Sequence, residues 1–297
     1  DVINVTVGDK SMEIVATVLP GQAPYSIALP LGWGRTRAGR VGGHDEHKVK
    51  PVGFDTYKLR SSNGFYVASG ATIKKTGKTY ELAHTQDHFA MDSRGADEIQ
   101  KRANIQIKNA TQAEYKAEGS KVVTANAHMH QDRALTKPTN KNNYSLHDEW
   151  EYKGRKWGMT IDLGKCTGCN TCVVACQAEN NIPVVGKTQV IKNREMHWIR
   201  IDRYFKGNPN NPEVAYQAVH CQQCENAPCE VVCPAGATIH SEEGLNDMAY
   251  NRCVGTRYCA NNCPYKVRRF NYLHFNKEFD EARNKVRKLL FNPDVTV

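Results

Sequence analysis

The chain has 297 residues, of which 40% are hydrophobic and 24% charged, and this balance is that of a folded globular protein. Its length predicts two domains. The formal net charge is +9, but the basic residues are scattered and form no stripe interleaved with aromatic residues, so nucleic acid is not a predicted partner. No apolar run approaches the ~18 residues that a spanning helix needs, and no direct membrane span is predicted.

Residues 1–85 predict a small β-barrel domain. Apolar and polar residues alternate over 1–7 and 12–18, and a Gly-Asp turn lies between these stretches, which together indicate two strands. Glycine and proline then break the chain. Further short strands are predicted at 57–59, 64–68 and 79–83.

Residues 86–154 predict a polar, irregular connection, and 138–143 is typical of an exposed linker. Four histidines lie in or beside this stretch: His84, His88, His128 and His130. Histidines in polar loops are usually solvated or hydrogen-bonded, so no metal role is assigned to them. No C-x-x-C-H motif occurs, and no haem is predicted in this chain.

Residues 155–297 contain all eleven cysteines, in three runs. The first run has the C-x2-C-x2-C-x3-C spacing of bacterial ferredoxins, and proline follows the last cysteine of the other two. Three thiolates in one turn can reach the same cluster, while the fourth points away and ligates its neighbour, so such runs work in pairs. The runs are Cys166, Cys169, Cys172 and Cys176; Cys221, Cys224, Cys229 and Cys233; and Cys253, Cys259 and Cys263.

Zinc and disulfides are the alternatives to iron–sulfur clusters. A zinc site closes with four ligands and does not need cysteines crowded into one turn. A disulfide framework would leave one of eleven cysteines unpaired, and cysteines on adjacent turns bridge poorly. The spacing therefore favours iron–sulfur clusters, with a zinc-stabilised interaction module as the alternative function that iron and sulfide analysis would eliminate.

The pattern around the cysteine runs predicts an α+β, ferredoxin-like module in which strand, cluster turn and helix repeat. A helix is predicted over 173–179, where the first run ends. An amphipathic helix is predicted from Phe279 to Leu290, ended by Asn292-Pro293. Strands are predicted at 159–163, 198–204 and 214–219.

Pairing the second and third runs predicts two clusters. Cys221, Cys224, Cys229 and Cys263 supply the four thiolates of a 4Fe–4S cluster. The other cluster has Cys233, Cys253 and Cys259, with Thr256 where a fourth cysteine is expected. Because a neutral hydroxyl is a poor iron ligand, a 3Fe–4S cluster is predicted there, and a threonine- or water-ligated cubane is the alternative.

The first run has no partner run among these residues. Cys166, Cys169 and Cys172 need one further cysteine for a 4Fe–4S cluster, and Cys176 needs three for another. The missing ligands are expected in a continuation of this chain or, less economically, in another chain. The 297 residues are therefore expected to be an internal piece of a longer protein.

Two stretches carry a resemblance to known families. Residues 157–183 and His220-Cys-Gln-Gln-Cys-Glu-Asn-Ala-Pro-Cys229 resemble the four-cluster subunits of the DMSO reductase and polysulfide reductase superfamily. Residues 19–22, 31–41 and 53–54 resemble the C-terminal β-barrel of molybdopterin oxidoreductases. The two on one chain are similar to the iron–sulfur and molybdopterin-like subunit of alternative complex III, a bacterial respiratory quinol:acceptor oxidoreductase.

The resemblance implies an electron-transfer subunit with no catalytic residue in this chain. It implies three 4Fe–4S clusters and one 3Fe–4S cluster in the complete protein, and no molybdopterin. It also implies a peripheral position on the periplasmic face of the bacterial inner membrane, with a polytopic quinol-binding subunit and c-type haem subunits as partners. The alternative is the iron–sulfur subunit of a true molybdopterin-dependent reductase of the DMSO or polysulfide reductase type.

Overall fold

The computed structural model describes residues 1–44, 48–86, 109–119, 151–272, 289 and 291–292. The chain divides into two compact units. Unit 1 comprises Asp1–His88, Val184–Glu195 and Asn208–Pro212, and unit 2 comprises Phe89–Pro183, Met196–Gly207 and Glu213–Val297. No helix within the described ranges combines the length and the apolar character that crossing a membrane requires.

Unit 1 is built on a three-stranded antiparallel sheet in the order β2-β1-β3. Its strands are β1 (Val2–Val7), β2 (Lys10–Val15) and β3 (Thr72–Lys75). Val5, Ile14 and Leu59 form the buried core, and Val5 is fully enclosed. Burying a valine of this kind contributes about 1.5–3 kcal/mol. The unit also contains the helices α1 (Gly39–Gly42) and α4 (Lys187–Ile191) and a 3₁₀ turn, Thr56–Leu59.

Several strand predictions in unit 1 are wrong. The predicted strand at 57–59 is part of a 3₁₀ turn, because the Thr56 hydroxyl donates to the Pro30 carbonyl at 2.8 Å and Leu59 turns into the core. Residues 64–68 and 79–83 form no strand. The described part of unit 1 shows one open sheet, and a molybdopterin-type barrel is not confirmed.

Unit 2 contains two antiparallel hairpins and four short helices among its described residues. The hairpins pair β4 (Arg200–Lys206) with β5 (Glu213–Val219), and β6 (Thr238–His240) with β7 (Asn246–Met248). The helices are α2 (Gln112–Glu118), α3 (Thr171–Glu179), α5 (Pro228–Val231) and α6 (Tyr258–Asn262), and a 3₁₀ turn spans Tyr250–Arg252. The α+β prediction for this region is confirmed.

The elements around the cysteine runs follow the predictions, with one exception. The helix predicted at the end of the first run is α3, which begins at Thr171 and includes Cys172 and Cys176, and the two predicted strands before the second run are β4 and β5. The predicted strand at 159–163 is wrong, because this segment pairs with no other strand and Met159 and Leu163 remain exposed. The predicted helix at 279–290 and the linker at 138–143 lie outside the described residues, as do His88, His128 and His130.

Candidate metal centre

The second and third cysteine runs meet at one pocket of unit 2. Four cysteines stand in its walls: Cys221, Cys224, Cys229 and Cys263. Cys229 and Cys263 are buried, and the other two are half-buried. The sequence predicts that these same four cysteines ligate a single 4Fe–4S cluster. Their ligation of iron stays a prediction.

The secondary structure explains why these cysteines converge. Cys221 follows the end of β5, Cys229 lies in α5, and Cys263 comes directly after α6. The helices α5 and α6 contact each other, which brings the second run against the third. Val219, Cys263 and Val267 form a buried apolar cluster, and Cys221 packs against it.

Burial raises the pKa of two thiols of this pocket, Cys224 and Cys229. Burial raises the pKa of Cys224, and the neighbouring Cys221 and Cys263 raise it further. Burial also raises the pKa of Cys229, while the Arg268 guanidinium acts to lower it. Because a metal binds the thiolate and releases the proton, this pocket couples metal binding to deprotonation of its cysteines.

The backbone repeats the same turn in all three runs. The residue two places after each leading cysteine has a positive φ: 68° at Gly168, 49° at Gln223 and 73° at Gly255. In the first and third runs a second positive φ follows, 62° at Asn170 and 66° at Arg257, and α3 and α6 start directly afterwards. The runs therefore share a local fold as well as a spacing.

Thr256 occupies in this repeated turn the place of Cys169. Each lies between two residues of positive φ and three places before the cysteine at the second position of the following helix, Cys259 for Thr256 and Cys172 for Cys169. The Arg257 guanidinium carbon lies 4.6 Å from the ring centre of Phe270 and 5.5 Å from that of Tyr272. These cation–π contacts hold the turn that presents the Thr256 side chain.

Cys233 receives hydrogen bonds from the backbone. The Ala237 N–H donates to Cys233 Sγ at 3.2 Å. The backbone N–H groups of Thr238, Ala237 and Ala235 lower the pKa of Cys233. Backbone donors of this kind stabilise negative charge on sulfur, which suits a thiolate ligand.

The first run is more open to solvent than the pocket. Cys169 and Cys172 are exposed, and Cys166 and Cys176 are half-buried. Thr171, whose hydroxyl lies 3.2 Å from Cys169 Sγ, lowers the pKa of that thiol. Burial raises the pKa of Cys176, and Asn180 Nδ2, 3.6 Å from its sulfur, opposes the shift.

The remaining cysteines do not line the pocket described above. Contact between α5 and α6 brings the runs of Cys233 and Cys259 next to each other. No group of three His, Cys, Asp or Glu within the described ranges is arranged to hold a single metal ion.

The donor set fits an iron–sulfur cluster. Thiolates are the soft ligands that such clusters use, and four of them face one pocket whose other walls are mainly apolar. Three of the four cysteines belong to the second run, and the fourth belongs to the third run. A paired ferredoxin motif supplies the ligands of a cluster in this way.

Two polar residues of this pocket, Asn246 and Arg268, are not predicted from the sequence. Asn246 begins β7, and Arg268 lies on the segment that leaves the third run. Nothing in the sequence distinguishes Arg268 from the adjacent Arg269, whose Nε donates to the His197 carbonyl. Only the fold identifies Arg268 as the one that faces the cysteines.

Comparison with known families supports the iron–sulfur interpretation. Two family models, both described as 4Fe-4S dicluster domains, match residues 165–237 and 212–279. Together they include all three cysteine runs. The prediction of iron–sulfur clusters and of an electron-transfer function is confirmed at this level.

Individual relatives are similar over about half of the chain. The iron–sulfur cluster-binding subunit of a menaquinone reductase from Nitratidesulfovibrio vulgaris is 43% identical over 145 residues, covering 48% of this chain and 54% of the relative. A selenate reductase subunit from Mesobacillus selenatarsenatis is 37% identical, covering 49% and 42%. An Hdr-like menaquinol oxidoreductase iron–sulfur subunit from Archaeoglobus fulgidus is 31% identical, covering 45% and 54%. The chain spans about half the length of the relatives it matches.

Proposed function

We propose that this chain relays single electrons through iron–sulfur clusters in a membrane-associated respiratory quinol:acceptor oxidoreductase of the alternative complex III type. The observation that carries the proposal is the pocket walled by Cys221, Cys224, Cys229 and Cys263. Bound clusters supply one-electron redox chemistry. The residues of the chain supply sulfur ligands and fixed charges, and none is assigned a bond-making role.

The proposed ligand sets follow the pairing of the runs. The pocket cysteines hold a 4Fe–4S cluster. Cys233, Cys253 and Cys259 hold a 3Fe–4S cluster, with Thr256 in the fourth position. Cys166, Cys169 and Cys172 contribute to a second 4Fe–4S cluster and Cys176 to a third. The complete protein then has three 4Fe–4S clusters, one 3Fe–4S cluster and no molybdopterin.

The proposed setting is the periplasmic face of the bacterial inner membrane. Its partners there are a polytopic subunit that binds quinol and subunits with c-type haem. The menaquinone reductase and the menaquinol oxidoreductase among the relatives support a link to quinone chemistry.

A second candidate is the iron–sulfur subunit of a true molybdopterin-dependent reductase. The similarity to a selenate reductase subunit favours it, because that relative is named as part of a reductase. Both candidates give this chain the same relay role. They differ in the catalytic subunit of the complex and in the final acceptor of the electrons.

Metal analysis of the complete protein, purified with its partners, separates these functions. The first proposal predicts iron and acid-labile sulfide without stoichiometric molybdenum, and clusters that menaquinol reduces within one turnover. Stoichiometric molybdenum would instead establish the second candidate. Zinc in place of iron and sulfide would contradict both and leave an interaction module.

A further inference from the structure

Arg268 is a charged side chain in the wall of the pocket of the four cysteines. Among the described residues that line it, only Arg268 has a formal charge, and the rest are cysteine, apolar, amide or phenol side chains. Arg268 is half-buried, so its guanidinium is partly withdrawn from bulk water. A charge in such a place acts on its neighbours more strongly than a charge on an open surface.

The β6–β7 hairpin holds this guanidinium in place. Arg268 Nη2 donates to Asn246 Oδ1, and Arg268 Nη1 lies 3.8 Å from Met248 Sδ. Asn246 and Met248 are the two ends of β7. The arginine is therefore tied to one short strand at two points.

Asn246 is held in turn by hydrogen bonds to residues adjacent to the cysteines. Its backbone N–H donates to Gln223 Oε1 at 2.6 Å, and its Nδ2 donates to Glu230 Oε1. Gln223 precedes Cys224, and Glu230 follows Cys229. Asn246 Oδ1 lies 3.6 Å from Cys229 Sγ, so the oxygen that anchors the arginine is also beside a cysteine.

We propose that Arg268 raises the reduction potential of the cluster held by Cys221, Cys224, Cys229 and Cys263, and that Asn246 is the positioning residue that aims it. The inference rests on the proposed iron–sulfur function of this pocket. The reduction potential decides whether this cluster accepts electrons from its neighbours, and a single residue would then set it.

The physical reason is electrostatic. Reduction adds one negative charge to a pocket that already contains four thiolates, and a fixed positive charge stabilises the reduced state more than the oxidised one. Local charge is one of the terms that set cluster potentials. Glu230 carries a competing negative charge, but it does not line the pocket, and its Oε1 accepts from Asn246 Nδ2 and lies 3.5 Å from His240 Nδ1.

The test is a redox titration of the purified complex, followed by electron paramagnetic resonance, in wild type and in Arg268→Gln. Glutamine keeps much of the length and hydrogen-bonding capacity but removes the charge. We expect one reduced-cluster signal to move to lower potential by about 59 mV or more, which is a tenfold change in the equilibrium for one electron, with iron content unchanged. Arg268→Lys should stay close to wild type.

Arg269→Gln is the matched control. It removes the same charge one residue further along the chain, from a side chain that donates to a backbone carbonyl and does not line the pocket. We expect the same signal to keep its wild-type potential. Asn246→Leu should lower the potential while Arg268 is still present, since the guanidinium loses its anchor.

Two results would overturn the inference. One is an unchanged set of potentials in Arg268→Gln with full iron content. The other is loss of iron in both Arg268→Gln and Arg268→Lys, since this would show that the shape of arginine matters and not its charge. Absence of iron and sulfide from the wild-type protein would be a different failure, that of the proposed function itself.

Discussion

Thr256 is the residue at which the third run departs from the ferredoxin pattern. The backbone around it is the same as the backbone around Cys169, with Gly255 and Arg257 at positive φ on either side. The turn is therefore built to present a side chain at this position, and what has changed is the donor atom. A hydroxyl replaces a thiolate without a change in the local fold.

We predict that the cluster of Cys233, Cys253 and Cys259 has three irons in the wild-type protein. The oxidised protein should then give the near-isotropic paramagnetic resonance signal of a 3Fe–4S cluster at low temperature. Thr256→Cys should convert it toward a 4Fe–4S cluster and lower its potential, because the turn already has the geometry for a thiolate. A wild-type protein without this signal, and with four irons at the site, would contradict the assignment.

Gly168 has a second constraint besides its φ of 68°. A Cβ atom there would lie 3.0 Å from Tyr216 Cε1 of β5, whereas a Cβ at Gly207, where φ is 81°, would meet no atom within 4 Å. We predict that Gly207→Ala costs about 1 kcal/mol of unfolding free energy for the left-handed backbone alone. Gly168→Ala should cost roughly 1 kcal/mol more, because of overpacking.

Thermal unfolding of the cluster-loaded protein measures this difference. Equal destabilisation by the two alanines would mean that the Tyr216 ring moves aside freely. In that case Tyr216 would not fix the turn of the first run.

At the scale of elements, the sequence predicts what side-chain periodicity and cysteine spacing determine. The helix α3, the hairpin β4–β5 and the grouping of the pocket cysteines follow from these patterns. β3 was missed because all four of its residues are exposed and two are lysines, so it has no apolar alternation, and only hydrogen bonding to β1 makes it a strand. The segment 159–163 has the alternation but lacks a partner strand. Arg268 was missed because its role depends on β7, a strand far from it in sequence.

Arg200, at the start of β4, forms a largely buried ion pair within that strand and also contacts the segment that follows the third run. Arg200 Nε lies 3.0 Å from Asp202 Oδ1, and their side chains are 15% and 6% exposed. Arg200 Nη1 also donates to the Tyr265 carbonyl at 2.5 Å, two residues after Cys263. The same arginine thus satisfies a buried carboxylate and fixes the segment that leaves the pocket.

We predict that Arg200→Leu destabilises the folded protein by about 3 kcal/mol, since it removes the positive charge paired with the buried Asp202 carboxylate. Arg203→Leu on the same strand is the control, and because Arg203 is exposed it should change the free energy of unfolding by no more than about 0.5 kcal/mol. Chemical denaturation of the loaded protein measures both. Equal effects of the two substitutions would show that the buried pair contributes nothing specific.

For the molecule as a whole, the support for an iron–sulfur function differs between the two units. The two family models match residues 165–237 and 212–279, which contain all the cysteines. Unit 1 has its own sheet and core, and the resemblance of its sequence to a molybdopterin-type barrel stays a prediction. The electron-transfer role of the chain therefore depends on unit 2.

A redox titration of the native complex, monitored by electron paramagnetic resonance alongside iron and sulfide analysis, is the decisive test of the iron–sulfur relay. We expect acid-labile sulfide in proportion to iron, a three-iron signal in the oxidised protein, and further signals that appear on one-electron reduction. A protein that contains zinc but no sulfide, and stays silent in both oxidation states, would contradict it.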